Sequence, residues 1–435
     1  MSLSRRQFLS LAGGAAVAGT AGWAALIRDH TATPTSASSS GASTASSSGA
    51  STAAAAGHPD NVLVVVQLTG GNDALNTVVP LHGAYHDLRP QLGIADDALV
   101  ALKGETSVGL HPSMKPLTAL WEAQHLAIVP DVGFANDSRS HFQSLAAWWA
   151  ADPSLQQTDG WLGRWLDATQ AADASPLVAI ALGAGAVPAL RGQKARSTAI
   201  NDLDRFSIEA PSRGGDASAV TAAFLAAASP AATDPLLAAA QAAMADAVDA
   251  TKVLAKVTSG STASDPTAPV EGDDPDQYAG AITSGLRTTA KLLDLDVGTR
   301  VVLVSAAGFD THAGQAATQQ RLLADLAGGL AELYATLETQ GRADRVLTIT
   351  TSEFGRRATQ NGSDGTDHGH GGVHLVAGPM ANGGLHGTVD VANLADGDLP
   401  CATDSRSLYA AALDWLGGPT DDVLGGTYDR MSLLV

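Results

Sequence analysis

The residues that could do chemistry are concentrated in a glycine-rich segment of the C-terminal third. Asp367, His368 and His370 lie within residues 361–372, a stretch that also contains five glycines. Carboxylates and imidazoles are common ligands of divalent metal ions, and glycine lets the backbone approach a ligand closely. A surface loop with idle histidines is the alternative, but packing explains this composition poorly. The segment therefore predicts a metal site.

Two more acidic segments follow apolar runs of the chain. Asp310 and His312 come after residues 300–305, and Asp73 ends the segment Thr-Gly-Gly-Asn-Asp after the first apolar run. Residues two apart in an extended loop can point to the same side, so Asp310 and His312 could share one ion. Turn or capping roles for the aspartates, with a surface histidine, are equally compatible with each segment alone.

Glu353 and Arg356 follow another apolar run, at residues 345–350. The carboxylate could bind a metal while the guanidinium holds an anionic substrate. A structural Glu–Arg pair is the competing interpretation.

A possible nucleophile lies in the segment Ser138-Arg-Ser-His, just before a predicted helix. A serine at a helix N-terminus lies near free N–H groups and the positive end of the helix dipole, which suits attack on an anionic ester. Ser140 or Ser138 would attack, and Arg139 would hold the anion. An N-capping serine is the common alternative, and His141 is either a ligand or a packed residue of the first helical turn.

The elements that must position these residues alternate between strand and helix. Short β-branched runs predict buried parallel strands, and longer periodic segments predict helices. This alternation indicates an α/β sheet covered on both faces, whose strand ends carry the motifs. The predicted strands are 61–68, 126–129, 177–182, 300–305 and 345–350, and the predicted helices are 140–150, 235–256, 278–295, 315–338 and 404–416.

Bulk properties narrow the function. The formal charge of −19 argues against duplex nucleic acid or an anionic membrane as the main partner, because both would repel the chain. A single cysteine, Cys401, excludes an intramolecular disulfide.

The N-terminus predicts export. Ser4-Arg-Arg-Gln-Phe-Leu-Ser10 precedes a weakly apolar Ala/Gly stretch, as in a twin-arginine signal. We interpret residues 1–30 as this signal segment, 31–57 as a flexible Ser/Ala-rich linker and 58–435 as one folded domain. A membrane anchor is the alternative for the signal segment.

Taken in order along the chain, the motifs resemble those of one family of exported bacterial proteins. The segments are the twin-arginine start and residues 68–73, 138–142, 160–164, 309–312, 352–356 and 365–369. The family is the "domain of unknown function 1501" family, placed in the alkaline-phosphatase-like superfamily with sulfatases and phosphoglycerate mutases. The resemblance implies a three-layer α/β/α sandwich with a mostly parallel central sheet.

The same resemblance implies one or two divalent metal ions, of zinc, calcium, magnesium or manganese. It implies metal-ligand roles for Asp73, Asp310, His312 and either His368 or His370. Phe354 departs from the family pattern, because it stands where a histidine ligand is expected. The sequence Cys-x-Pro-x-Arg is absent after the first strand, which excludes a formylglycine sulfatase.

We therefore expect a metal-dependent hydrolase, periplasmic or secreted, that acts on a phosphate or sulfate-type ester through Ser140. Arg139 or Arg356 would hold the non-bridging oxygens. The expected partners are a small or polymer-linked anionic ester and the twin-arginine translocase, with membrane contact only through the N-terminal segment. The alternative is a non-catalytic binding or assembly protein of the cell envelope that retains the fold.

Overall fold

The computed structural model describes residues 57–170, 175–183, 187–200, 216–229, 233–258 and 280–435. The predicted signal segment and all of the predicted linker except Gly57 lie outside these ranges, as does the acidic stretch 259–276. None of the helices in the described ranges is long and apolar enough to cross a membrane.

The strands and helices follow one another closely along the described parts of the chain. The strands there are β1 (Val62–Leu68), β2 (Val78–Pro80), β3 (Val100–Ala101), β4 (Val108–Leu110), β5 (Leu126–Gly133), β6 (Ala179–Leu182), β7 (Thr198–Ile200), β8 (Val301–Ala306), β9 (Val346–Thr351), β10 (Gly372–Ala377), β11 (Gly384–Leu385) and β12 (Thr403–Asp404). The α-helices there are α1 (Ala74–Thr77), α2 (Tyr85–Leu88), α3 (Thr118–Glu122), α4 (His141–Ala150), α5 (Trp161–Thr169), α6 (Ala217–Ala227), α7 (Pro235–Thr258), α8 (Ala281–Asp294), α9 (Gln315–Thr339), α10 (Ser405–Leu416) and α11 (Thr420–Leu424). The five predicted strands and five predicted helices are confirmed, with ends that shift by a few residues.

The central sheet has the strand order β11-β5-β10-β9-β1-β8-β6-β7, and β12 also pairs with β5. Strand β1 runs parallel to both β8 and β9, and β6 runs parallel to β7 and β8. Strand β10 is antiparallel to both of its neighbours, β5 and β9. Consequently β1, β5, β8 and β9 all end at the same edge of the sheet, and β10 begins there.

Both faces of this sheet are buried, which makes the fold a three-layer α/β/α sandwich. Alternate residues of a strand point to opposite faces, and β1 sends Val64 into one hydrophobic core and Val65 into the other. Helices α8 and α9 cover the Val64 face, whereas α4, α5 and α10 cover the Val65 face. The predicted fold class, an α/β protein with a mostly parallel central sheet, is confirmed. A small antiparallel sheet, β2-β4-β3, lies beside it.

The topology explains why distant motifs meet. The loops after β1, β5, β8 and β9 start at one sheet edge, and the glycine-rich segment 361–372 leads into β10 at the same edge. An antiparallel strand was not predicted there. Without its reversal, the glycine-rich segment would not enter the sheet beside the other four loops.

Candidate metal centre

The loops at this edge pack with their backbones almost in contact. Gly70 has a φ of +122°, and a Cβ built on it would lie 2.3 Å from the backbone nitrogen of Asp310. A Cβ on Gly355 would lie 2.0 Å from the carbonyl oxygen of Gly371. Real Cβ atoms do not approach backbone so closely, so glycine is required at both positions. These close approaches let polar side chains from different loops reach one another.

The carboxylate of Asp310 lies at the centre of a cluster of imidazole rings. Its Oδ1 is 3.1 Å from Nε2 of His312 and 3.1 Å from Nε2 of His368, and its Oδ2 is 3.3 Å from Nε2 of His141. The Nε2 atoms of His312 and His368 are themselves 2.9 Å apart. The same nitrogen of each ring therefore points at one carboxylate.

The other nitrogen of each ring is held by an acceptor. Nδ1 contacts Oε1 of Glu353 at 2.8 Å in His141, Oδ1 of Asp367 at 3.1 Å in His312, and the carbonyl oxygen of Arg139 at 2.9 Å in His368. A carboxylate or carbonyl can only accept, so each Nδ1 must donate. Whenever a ring is neutral, its Nε2 therefore carries the free lone pair.

Electrostatics keep the central carboxylate charged. Burial raises the pKa of Asp310, but its polar contacts with His368 and Arg356 outweigh burial and hold that pKa well below its usual range. The hydrogen bond to Glu353 raises the pKa of His141 above 6.5, although burial opposes it. The cluster therefore combines an ionised carboxylate with imidazoles, and the contact with Glu353 favours the charged form of His141.

The side chain of Arg356 is fully buried, and its guanidinium group connects several loops through hydrogen bonds. Its Nε donates to the Gly71 carbonyl at 2.8 Å, one terminal nitrogen donates to the Thr366 carbonyl at 2.8 Å, and the other lies 2.5 Å from Oδ1 of Asp310. The same nitrogen also donates to the carbonyls of Gly70 and Phe309. These contacts place Arg356 behind Asp310 as its counter-ion rather than in solvent.

Asp73 lies elsewhere, in a buried polar network. Its Oδ1 receives a hydrogen bond from Arg89 at 2.9 Å, and its Oδ2 also contacts Arg89 and the side-chain amide of Gln315. Its Oδ1 also caps helix α1 at the backbone nitrogen of Leu75. The structure does not bring Asp73 to the cluster around Asp310, and its charge is matched by Arg89.

The two serines differ in their hydrogen bonding. Ser140 is the N-cap residue of α4, yet its hydroxyl makes no capping hydrogen bond to the helix. Ser138 is exposed, and its hydroxyl accepts from the backbone nitrogen of Ser140 at 3.2 Å. Ser140, whose hydroxyl makes no capping hydrogen bond, is therefore the serine that directly precedes a residue of the cluster, His141.

His370 and Arg139 contact each other beside the cluster. Nε of Arg139 donates to Nε2 of His370 at 3.1 Å, and Nη1 of Arg139 is 3.5 Å from the buried carboxylate of Asp398. His370 therefore lies outside the set of rings that converge on Asp310. Phe354 fills the space next to the cluster, with ring-centroid distances of 4.6 Å to His368 and 5.0 Å to His141.

Residues 60–432 match the family described as "Protein of unknown function (DUF1501)". The chain belongs to this family. A comparison with curated protein sequences finds no match.

Solved structures with a similar arrangement of the chain share little sequence with it. Ps i-CgsB is 8% identical, with 85% of this chain and 75% of that chain covered and a TM-score of 0.35. The lipoteichoic acid synthase LtaP from Listeria monocytogenes is 9% identical, with coverages of 86% and 76% and a TM-score of 0.34. BT1596, a 2-O GAG sulfatase, is 10% identical, with coverages of 86% and 74% and a TM-score of 0.34.

The structure gathers Asp310, His312 and His368 with His141, and it places Glu353 and Asp367 as acceptors behind two of the rings. In the described residues, His141, Asp310 and His368 offer ligand atoms that all lie within 4.8 Å of one another, and His312 joins through its 2.9 Å contact with His368.

His141 is the residue that sequence reasoning left undecided. Its helix position allowed a packed role, and its ring is assigned to the cluster by contacts with Asp310 and with Glu353, which is 212 residues away in the chain. The one sequence signal was its place directly after Ser140 at a helix start.

Proposed function

We propose that this protein is a metal-dependent hydrolase that acts on a phosphate or sulfate-type ester. The observation that carries the proposal is the convergence of three imidazole Nε2 atoms on Asp310, with each Nδ1 fixed by an acceptor. Metal-binding histidines characteristically donate their second nitrogen to a carboxylate or carbonyl, which fixes the ring orientation. A cluster built only for stability has no need to orient every ring in the same way.

His141, His312, His368 and Asp310 would hold the ion. Ligands of a tetrahedral zinc at about 2.0–2.1 Å lie roughly 3.3 Å apart. The contacts of the three rings with Asp310, at 3.1 to 3.3 Å, and the contact of His312 with His368, at 2.9 Å, are close to this value. The ligand atoms of His141, Asp310 and His368 all lie within 4.8 Å of one another. Nitrogen-rich donor sets favour zinc and related transition metals, whereas calcium and magnesium prefer oxygen ligands. When bound, such an ion lowers the pKa of a coordinated hydroxyl or water and stabilises negative charge on an ester oxygen.

Ser140 is the nucleophile in this proposal. Its hydroxyl is not used for capping, and it stands at the N-terminus of the ten-residue helix α4, whose free N–H groups favour an anionic ester. Its oxygen would attack the phosphorus or sulfur atom while the bond to the ester oxygen breaks, and the proton of the hydroxyl would pass to that oxygen, which leaves as an alcohol. Water would then cleave the seryl ester and release phosphate or sulfate. His141, the next residue, would keep the reacting groups close to the cluster.

A second candidate function is a non-catalytic metal-binding protein of the cell envelope. The observation that favours it is the commitment of both candidate arginines, because Arg356 is buried on backbone carbonyls and Asp310, and Arg139 contacts His370 and Asp398. Neither guanidinium is left wholly free for the non-bridging oxygens of a substrate.

We also propose that the chain is exported by the twin-arginine translocase and works in the periplasm or outside the cell. The support is the sequence Ser4-Arg-Arg-Gln-Phe-Leu-Ser10 and the Ala/Gly stretch after it. The Arg5→Lys/Arg6→Lys variant should accumulate in the cytoplasm, and a normal distribution of that variant would contradict this route.

The first experiment measures metal content by elemental analysis of natively expressed protein. The variants are His312→Ala/His368→Ala and, as a matched control, His86→Ala, which removes an exposed histidine 3.1 Å from Asp96. We expect about one ion per chain in the wild type and in the control, and loss of the ion in the double variant. Equal metal content in all three proteins would refute the site.

Turnover then separates the two candidate functions. Aryl phosphate and aryl sulfate esters are offered to the metal-loaded wild type and to the Ser140→Ala and Ser138→Ala variants. The hydrolase proposal expects turnover that is lost in Ser140→Ala and kept in Ser138→Ala. Tight metal binding without turnover of either ester class would favour the binding protein.

A further inference from the structure

One loop joins two of the converging rings. Residues 134–140 connect β5 to α4, whose first residue is His141, and the carbonyl oxygen of Arg139 in this loop holds His368 at 2.9 Å. The backbone conformation at Arg139 therefore affects how far the two rings lie from each other. His141 and His368 are far apart in the sequence, so the distance between their rings depends on how this loop holds them.

Arg139 adopts an unfavourable backbone conformation. Its φ is +55°, in the left-handed region that residues with a Cβ seldom occupy. Such a conformation costs free energy and persists only where surrounding contacts over-determine it. Its presence in the loop that joins two candidate metal ligands calls for a structural cause.

The contacts of Arg139 supply that cause. Its Nε donates to His370 at 3.1 Å, and its Nη1 lies 3.5 Å from Oδ2 of Asp398. Asp398 is fully buried, and its Oδ1 has no hydrogen-bond partner in the described structure. A buried carboxylate is strongly unfavourable without nearby cations, so it draws the guanidinium of Arg139 to this place.

We propose that Asp398 is a positioning residue for the metal centre, acting through Arg139 to fix the separation between His368 and His141. This inference rests on the proposed metal-binding function. Asp398 lies in the loop before β12, outside every motif that the sequence indicated. Its carboxylate anchors the side chain of Arg139, the anchored side chain maintains the left-handed backbone, and the backbone presents its carbonyl to Nδ1 of His368.

An ordinary stabilising ion pair is the competing explanation, and the chain offers a matched control for it. Arg357 also reaches Asp398, at 3.4 Å, and its other side-chain contact is the carbonyl of Asp396. Its side chain touches none of the rings that converge on Asp310. Both arginines thus pair with the same carboxylate, but only Arg139 connects it to His368.

The experiment compares zinc affinity in the full chain, measured by competition with a chromophoric chelator, for Arg139→Gln, Asp398→Asn and Arg357→Gln. We expect Arg139→Gln and Asp398→Asn each to weaken zinc binding about tenfold, as the loss of an orienting contact does elsewhere. Arg357→Gln should stay within about twofold of the wild type. The double variant Arg139→Gln/Asp398→Asn should be no weaker than either single variant, because both act through one contact.

Wild-type affinity in Asp398→Asn, or equal weakening in Arg357→Gln, would overturn the proposal. The melting temperature of each metal-free variant shows whether a loss of affinity merely follows a loss of stability. A second readout needs no metal: nitrogen NMR of His368 in the metal-free protein should show the Nδ1–H tautomer in the wild type and in Arg357→Gln, and a mixture in Asp398→Asn. If the wild type binds no zinc, the proposed function fails, and the tautomer still decides the positioning role.

Discussion

Glu353 offers the sharpest test of the idea that orienting contacts, and not ligands alone, build this site. The Glu353→Gln substitution keeps the size of the side chain and an acceptor oxygen but removes the charge. Oε1 of Glu353 accepts from His141 and from the backbone nitrogen of Gly70, both at 2.8 Å, whereas its Oε2 is buried with no hydrogen-bond partner in the described structure. The amide nitrogen of glutamine would take the place of this unused oxygen.

The expected loss follows from the strength of the remaining contact. A hydrogen bond to a charged group contributes about 1.5–3 kcal/mol, and a neutral one about 0.5–1.5 kcal/mol. The difference of about 1.4 kcal/mol corresponds to a tenfold lower affinity for the metal. The melting temperature of the metal-free protein should change little, because both hydrogen bonds of Oε1 are retained in neutral form.

Asp367→Asn is the matched control, because Asp367 holds His312 in the same way that Glu353 holds His141. Its side chain is 59% exposed, whereas that of Glu353 is fully buried. Solvent screening limits an exposed ion pair to about 0–1 kcal/mol, so we expect a loss of affinity of about two- to threefold. Calorimetric titration of zinc into both metal-free variants gives the comparison. Unchanged affinity in Glu353→Gln, or a larger loss in Asp367→Asn, would refute the reasoning.

Three further predictions follow from individual contacts. Zinc binding should release a proton from His141 up to a higher pH than from an ordinary histidine, because the hydrogen bond to Glu353 raises its pKa. Calorimetry in buffers of different ionisation enthalpy, repeated across a pH series for the wild type and for Glu353→Gln, measures this release, and identical pH profiles would contradict the role of Glu353. Burial, with a smaller contribution from Asp390, raises the pKa of Asp131 from 3.8 to about 7. Between these two values the unfolded chain loses the proton more easily than the folded chain, so the carboxyl increasingly destabilises the folded state as the pH rises from 4 to 7. At pH 7 this destabilisation is about 4 kcal/mol. Asp131→Asn, whose asparagine suits the φ of +57° at this position, should therefore gain stability over the wild type in urea at pH 8 and lose that advantage at pH 4, and an equal effect at both pH values would exclude this cause. Arg356→Lys should cost about 3 kcal/mol of unfolding free energy, since one ammonium cannot reach every carbonyl that the guanidinium satisfies; a loss below 1 kcal/mol would show that those contacts contribute little.

Sequence patterns predicted the elements of the fold well because these elements depend on local periodicity. The run at residues 62–66 is entirely apolar and mostly valine, and it lies in the central strand β1, which is buried on both faces. Strand β10 was missed, since Gly372–Ala377 is short, contains His374 and follows a segment with four glycines. His374 is buried against Trp148, and its pKa is lowered to about 4 by burial, so it serves as a core residue that periodicity could not identify.

The composition of the candidate site was more predictable than its contacts. Loops at strand ends with Asp and His predicted a metal site, but side-chain partners depend on residues that meet only in the folded chain. Asp73 illustrates the difference, because Arg89 lies 16 residues away and nothing in the intervening sequence indicates that the two side chains meet. In the same way, the residues that orient each ring could not be distinguished from ligands, since Glu353 and Asp367 have the same chemistry as Asp310.

The placement of Arg356 bears on which metal the centre would select. Oδ1 of Asp310 is 2.5 Å from a guanidinium nitrogen that is itself buried, so this oxygen already shares its charge with a permanent cation. The pairing makes Asp310 a weaker base and therefore a weaker ligand than a free carboxylate. Calcium and magnesium depend on carboxylate and other oxygen ligands, whereas zinc binds strongly to neutral imidazole nitrogen. A centre whose carboxylate is paired with Arg356 and whose imidazoles are individually oriented would thus discriminate against the oxygen-seeking ions, through the counter-ion as much as through the ligands.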